Sequence, residues 1–256
     1  MDRQDDQERS LRGIIDSARS IASTLGALQL RHGDLVHFRP GAGGVSMIGL
    51  SQERPQRGCS ALPAAAILND FEQLYAQHCV DVDQGRPTGE KALQSHLIQD
   101  AYRHGRRMQL LNQASQKTSS AVELHFVTDE IALPREDGKI VCDMLALRRD
   151  AGRSTPVVLE LKNARLLKEL RRQVSDYAQL VDRHAGLFAQ LYSALLGEPV
   201  AFDGPAERWI VWPEEGLDCD PREPELARDG IRVVGYLLDR KGAYRFRVGA
   251  EPRRDG

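Results

Sequence analysis

The sequence predicts an α/β protein with a mixed central sheet flanked by helices, and three observations carry that reading. Between residues 88 and 213, helical and strand patterns follow one another in the order αβββαβ. One of those strands, Val157-Val158-Leu159, is an apolar run of the kind found where a sheet is buried. The chain, 256 residues with 41% hydrophobic and 28% charged content, is long enough for one domain of ordinary size and a smaller attachment.

Along the chain, residues 8–31 place Leu11, Ile14, Ile15, Ala18, Ile21, Ala22 and Leu25 at helical spacing, which predicts an amphipathic helix ending at Gly26. Leu35-Val36-His37-Phe38 and Val45-Ser46-Met47-Ile48, joined by Pro40-Gly41-Ala42-Gly43-Gly44, predict a small hairpin. That glycine-rich joint lacks the Gly-Lys-Ser/Thr ending and following helix of a phosphate loop. A second helix is expected over 62–79, and the polar break at 81–88 suggests a boundary between an N-terminal α+β extension (1–81) and the main domain (82–256, core about 88–213). The main domain reads as a helix over 90–111, strands over 122–133, 139–148 and 155–161, a long helix over 164–196 closed by Gly197, and a strand over 208–212. Runs at 231–238 and 244–248 extend the same sheet.

Composition excludes several classes. No apolar stretch approaches the roughly 18 residues of a membrane span, and the charged start MDRQDDQERSLRG is not a secretory signal, so a cytoplasmic protein without a membrane partner is expected. Cys59, Cys79, Cys142 and Cys219 contain no Cys-x-x-Cys pair and read as reduced thiols rather than a zinc site or disulfide framework. A net charge of -2 gives no overall basic signature, so contact with nucleic acid must come from local patches.

The chemistry lies in charges placed on apolar strands. Glu160 and Lys162 are two residues apart at the end of an apolar run, so both project to one face, where burial is costly unless each is paired. Asp143 poses the same problem in Ile140-Val141-Cys142-Asp143-Met144-Leu145. Two carboxylates on neighbouring strands can share a hard cation such as Mg²⁺, and a lysine beside them suits phosphate chemistry. At about 100° per residue, Glu90 heads the apolar stripe of Leu93, Leu97, Ala101 and Met108, and Gln173 falls within the line of Leu166, Leu170 and Tyr177.

This ordered set, Glu90, Asp143, Glu160-Leu161-Lys162 and Gln173 over an αβββαβ pattern, resembles the PD-(D/E)XK nuclease superfamily, whose core is restriction-endonuclease-like. The resemblance spans about half the chain, with Cys142 where the motif's proline would stand. It implies Asp143 and Glu160 as ligands of Mg²⁺ or Mn²⁺ assisted by the Leu161 carbonyl, Lys162 as the catalytic lysine, Glu90 as the helix carboxylate, also a metal ligand, and Gln173 as the helix glutamine. The opening Glu90-Lys91-Ala92-Leu93-Gln94 is similar to subgroups found in phage-defence and repair nucleases.

Plainer readings stand beside these. The helix dipole favours Glu90 in a first turn whatever its function, and Gln173 is equally a core hydrogen-bonder. Arg165, Lys168 and Arg172, like Arg103, Arg106 and Arg107, form either solvated faces or phosphate contacts, and His104 reads as a helix-surface or core residue. Glu130 is a surface residue or a further metal ligand, and Trp209 and Trp212 are core. The expected function is a metal-dependent nuclease acting on nucleic acid, DNA foremost; the alternative is a nuclease-fold module that binds nucleic acid or a protein without cleaving. Residues 1–80 would serve as a substrate clamp, a homodimer interface or a sensing module.

Overall fold

The computed structural model describes residues 3–50, 57–79, 89–116, 123–162, 167–214, 223–239 and 243–249. The first helical pattern forms α1 (Arg3–Ser20), a π-helical turn (Ile21–Leu25) and α2 (Gly26–His32). β1 (Val36–Gly41) and β2 (Gly44–Gly49) make the expected hairpin, with Gly41 paired to Gly44, and β3 (Arg57–Leu62) adds a third antiparallel strand. α3 (Ala64–Asn69) and α4 (Phe71–His78) replace the single helix expected over 62–79, because Asp70 leaves helical backbone between them. The hairpin turn crosses α1 closely: a Cβ at Gly13 would lie 2.6 Å from the Ala42 carbonyl, and Ser17 Oγ donates to the Gly41 carbonyl at 2.8 Å.

The main sheet has six strands in the order β11-β10-β9-β8-β7-β4, from β4 (Glu123–Asp129), β7 (Met144–Asp150), β8 (Arg153–Leu161), β9 (Glu207–Pro213), β10 (Ile231–Leu238) and β11 (Tyr244–Val248). It is mixed: β4, β7 and β8 are antiparallel, β8, β9 and β10 parallel, and β11 antiparallel at the edge. β5 (Ala132–Arg135) and β6 (Gly138–Val141) form a separate hairpin. Helices cover both faces: α5 (Gly89–Arg103) and α6 (Gln109–Gln116) on one, α1, α7 (Leu167–Arg183) and α8 (Ala185–Leu196) on the other, with the short α9 (Glu223–Arg228) ahead of β10.

Alternation along the strands sorts the core into two layers. Met144, Ala146, Leu159, Trp209 and Val211 pack with Leu93, Leu97 and Leu111, whereas Leu145, Leu147, Val158, Ile210 and Trp212 pack with α7 and α8. Coverage on both faces is why these strands read as apolar runs, and it buries both tryptophans as expected. Leu11, Ile14, Ile15 and Ala18 of α1 belong to the second layer, so part of the stretch expected as an N-terminal extension helps build the main core. A third cluster, including Ile21, Phe38, Met47, Ile67 and Phe71, underlies the three-stranded sheet.

Four further elements differ from the sequence pattern. The helix expected over 90–111 ends at Arg103, because Gly105 and Arg106 adopt positive φ and the Arg106 N–H closes on the Ala101 carbonyl at 2.7 Å. The long helix expected over 164–196 is two helices, broken where His184 leaves helical backbone (φ -111, ψ 31). The strands expected over 122–133 and 139–148 each bend, giving the β4/β5 and β6/β7 breaks. Cys59, Cys79 and Cys142 are thiols rather than disulfide partners, and Cys219 lies outside the described residues. Among the described residues, no helix is long and apolar enough to cross a membrane.

Candidate active site

The two strand bends meet. Glu130 takes a positive φ of 44° at the end of β4, and its N–H donates to the Asp143 carbonyl at 3.2 Å just before β7. Asp143 therefore sits in the kink where the β5–β6 hairpin leaves the sheet, and its Oδ2 accepts the Leu161 N–H at 2.7 Å. That bond ties the kink to the end of β8.

Lys162 gathers the acidic groups. Its Nζ lies 2.8 Å from Glu160 Oε1, 3.4 Å from Glu90 Oε1 and 3.5 Å from Asp143 Oδ2. The main chain fixes its position: Lys162 N–H donates to the Val211 carbonyl at 2.9 Å, and the Lys162 carbonyl accepts from Tyr236 Oη at 3.3 Å. Glu90 arrives from the first turn of α5, inward as its place on the apolar stripe predicts. Burial, then the neighbouring Asp143 charge, push the Glu160 carboxyl up to about 7 even with Lys162 opposing them. Burial alone would lower Lys162, but Asp143, Glu160 and Glu90 together raise it above the usual lysine range, so it stays an ammonium ion.

Beside this cluster lies a buried polar network that the sequence pattern did not disclose. Asp129, fully buried at the end of β4, accepts from Arg39 Nε at 2.7 Å and contacts His37 Nε2 at 2.9 Å; both partners come from β1. Tyr102 Oη meets the other His37 ring nitrogen at 2.8 Å. Arg39 also pairs with Glu130 at 2.7 Å, and Glu130 pairs with Lys91. Gln94 links the network to the site: its Nε2 donates to Asp129 Oδ2 at 3.2 Å and to the Asp143 carbonyl at 2.9 Å, while its Oε1 accepts from Lys91 Nζ at 3.0 Å. The available signal was that Gln94 lies four residues after Glu90, on the same helical face.

The other sequence candidates fall elsewhere. Gln173 is half-buried on α7 and lines a cleft of about 140 Å³ beside β6, with Lys139, Val141 and Arg172. Among the described residues it forms no hydrogen bond to the Lys162 cluster, because α7 turns that face toward the β5–β6 hairpin; the helix glutamine that reaches the site is Gln94. Arg172 is exposed, Arg165 lies outside the described residues, and Lys168 is helical. Arg106 donates to the Val127 carbonyl and lies over the Tyr102 ring, Arg107 faces Glu123 at 3.6 Å, and His104 bonds back to Asp100. Glu130 is held in the ion-pair network with Arg39 and Lys91.

The donors suit a hard divalent cation in type and charge. Glu90, Asp143 and Glu160 are three carboxylates against one ammonium, an excess of two negative charges when all are ionised, and burial followed by the Asp143 charge raises Glu160 within it. Among the described residues, no group of three or more His, Cys, Asp and Glu side chains stands ready to hold a metal ion; the carboxylates are drawn onto Lys162 instead. No protein-family model matches the chain, and no curated protein or solved structure is significantly similar to it.

Proposed function

We propose that this chain is a metal-dependent nuclease that hydrolyses phosphodiester bonds of DNA. The observation that carries the reading is the convergence of Glu90, Asp143 and Glu160 on the Lys162 ammonium. The run α5, β4, β7, β8, α7–α8, β9, with β8 parallel to β9, supports a core of the restriction-endonuclease type, and DNA is the substrate that resemblance implies. In this reading Asp143 and Glu160, with the Leu161 carbonyl and Glu90, would hold Mg²⁺ or Mn²⁺. Such an ion, when bound, supplies Lewis acidity that lowers the pKa of an attacking water and offsets phosphate charge. Lys162, kept protonated by its carboxylates, serves as a cation toward the charge developing on the phosphate, not as a base. Gln94 and the Glu130 N–H hold the Asp143 backbone, and so aim its carboxylate.

The direct test is cleavage of a panel of single- and double-stranded DNA and RNA with and without Mg²⁺ or Mn²⁺. Metal-dependent cleavage of DNA is expected; binding without cleavage on the whole panel would favour the non-catalytic module. Metal should also stabilise the folded chain, by about 2.7 kcal/mol at a hundredfold excess over Kd. Asp143→Ala should remove that gain in thermal melts, and a wild-type melting temperature indifferent to millimolar metal would refute a shared site. If α7 touches phosphates, replacing Lys168 and Arg172 with alanine should weaken DNA binding equally at all sequences. The salt slope should then flatten by about 0.9 for each phosphate no longer neutralised, and an unchanged slope would refute that contact.

A further inference from the structure

At the far end of α5 from Glu90, roughly 20 Å along the helix at 1.5 Å per residue, the fold leaves a cavity of about 720 Å³. It lies among the π-helical turn, α2, the end of α5 and the end of α8. Its volume is that of a small-molecule site. Ile21, Ala22, Leu30 and Leu195 give it apolar walls, and Leu30 stands 91% exposed. Leu30 adjoins a concave apolar surface instead of standing alone, and a contiguous apolar patch of that kind marks a candidate ligand groove.

The cavity is also positively biased. Arg31, Arg103 and Arg106 line it against a single carboxylate, Asp34. Arg106 is engaged with the Val127 carbonyl and the Tyr102 ring, but among the described residues Arg31 and Arg103 are exposed and form no ion pair. The C-terminal dipoles of α2, α5 and α8, about half a unit charge each, reduce this surplus without reversing it. Apolar walls with free guanidinium groups beside them match a ligand that is apolar over most of its surface and negative at one end.

We propose that this cavity binds a small organic anion: one carboxylate, sulfonate or phosphate carried on an apolar body. The site is independent of the Lys162 cluster, and its test needs no nuclease activity. The probe is 8-anilinonaphthalene-1-sulfonate, with its neutral analogue N-phenyl-1-naphthylamine as control, followed by fluorescence on the full chain. Saturable binding of one sulfonate per chain is expected. The variant Arg31→Ala/Arg103→Ala should weaken sulfonate binding at least about tenfold, as expected when charge-assisted hydrogen bonds are removed, and leave the neutral analogue unaffected.

Gly26→Phe provides the steric arm. Gly26 lines the cavity, its backbone is helical (φ -56, ψ -40), and a Cβ there meets nothing within 4 Å, so a side chain enters the cavity without backbone strain. It should block both probes while the melting temperature holds or rises. Three results would overturn the proposal: no saturable binding, binding indifferent to both the arginine and Gly26 variants, or a dimer by sedimentation equilibrium that Leu30→Asp dissociates. The last would assign the face to a second copy of the chain.

Discussion

Lys162→Ala will abolish most phosphodiester cleavage and leave metal binding nearly intact, whereas Glu160→Gln will weaken both. The two variants separate because, under the proposed function, the residues do different things. Glu160 offers a carboxylate to a hard cation, and an amide is a poorer ligand for it. Lys162 offers charge to the phosphate, and removing one preorganised electrostatic partner of a transition state costs on the order of 10²–10³ in rate. Removing the ammonium also leaves Glu90, Asp143 and Glu160 without their common counter-ion, which increases rather than reduces their demand for a metal. Cleavage assays on the nucleic-acid panel and calorimetric titration with Mn²⁺ read the two effects apart. A Lys162→Ala protein that cleaves like the wild type would remove the lysine from catalysis. A wild type that cleaves nothing, yet binds nucleic acid as well as Lys162→Ala, would replace the enzyme reading with the binding module.

The largest expected loss of stability is at Asp129. Removing one partner from a buried ion pair costs about 3–5 kcal/mol; Asp129→Ala would take the carboxylate from His37 Nε2 and leave Arg39 with Glu130 alone, which places the loss toward the lower end of that range. At roughly 2–4 °C per kcal/mol for a chain of this length, the melting temperature should fall by on the order of 10 °C. The pH dependence gives a second readout. Burial, the largest single influence, would raise the Asp129 carboxyl, but Arg39 and His37 together outweigh it and hold the group well below the usual carboxylate range. Arg39 is the larger of the two opposing influences, and burial lowers the His37 pKa. A depressed carboxyl stabilises the fold above its unfolded pKa of about 3.9, and that stability is lost as pH falls through the folded value. Wild type should therefore lose stability steeply below about pH 5, and Asp129→Ala should lose less over the same range. Equal acid slopes in denaturant titrations would show that the network contributes nothing to the fold. Because Gln94 joins Asp129 to the Asp143 carbonyl, Asp129→Asn, which keeps the shape, tests the link to the site: nuclease activity should drop more than metal-free stability explains.

Periodicity made a good part of this protein legible before any coordinates. The apolar runs Val157–Leu161 and Trp209–Trp212, and the helical stripe below Glu90, are local consequences of burial, so they appear in the sequence wherever an element meets the core. The same logic singled out Glu160, Lys162 and Asp143, since a charge on an apolar strand is conspicuous and must be compensated. Compensation alone does not name the partner. That Glu90 reaches Lys162 across 72 residues, that Gln94 rather than Gln173 is the helix glutamine at the site, and that His37 and Arg39 hold Asp129 from some 90 residues away were decided by the tertiary structure. So were the breaks at Arg106, Glu130 and His184, where backbone turns on a single residue within an otherwise continuous pattern, and the packing of α1 into the main core. The physical reason is one of range: periodicity records which face of an element is buried, a property of neighbours a few residues apart, while the partner that satisfies a buried charge is set by which distant elements the topology brings together.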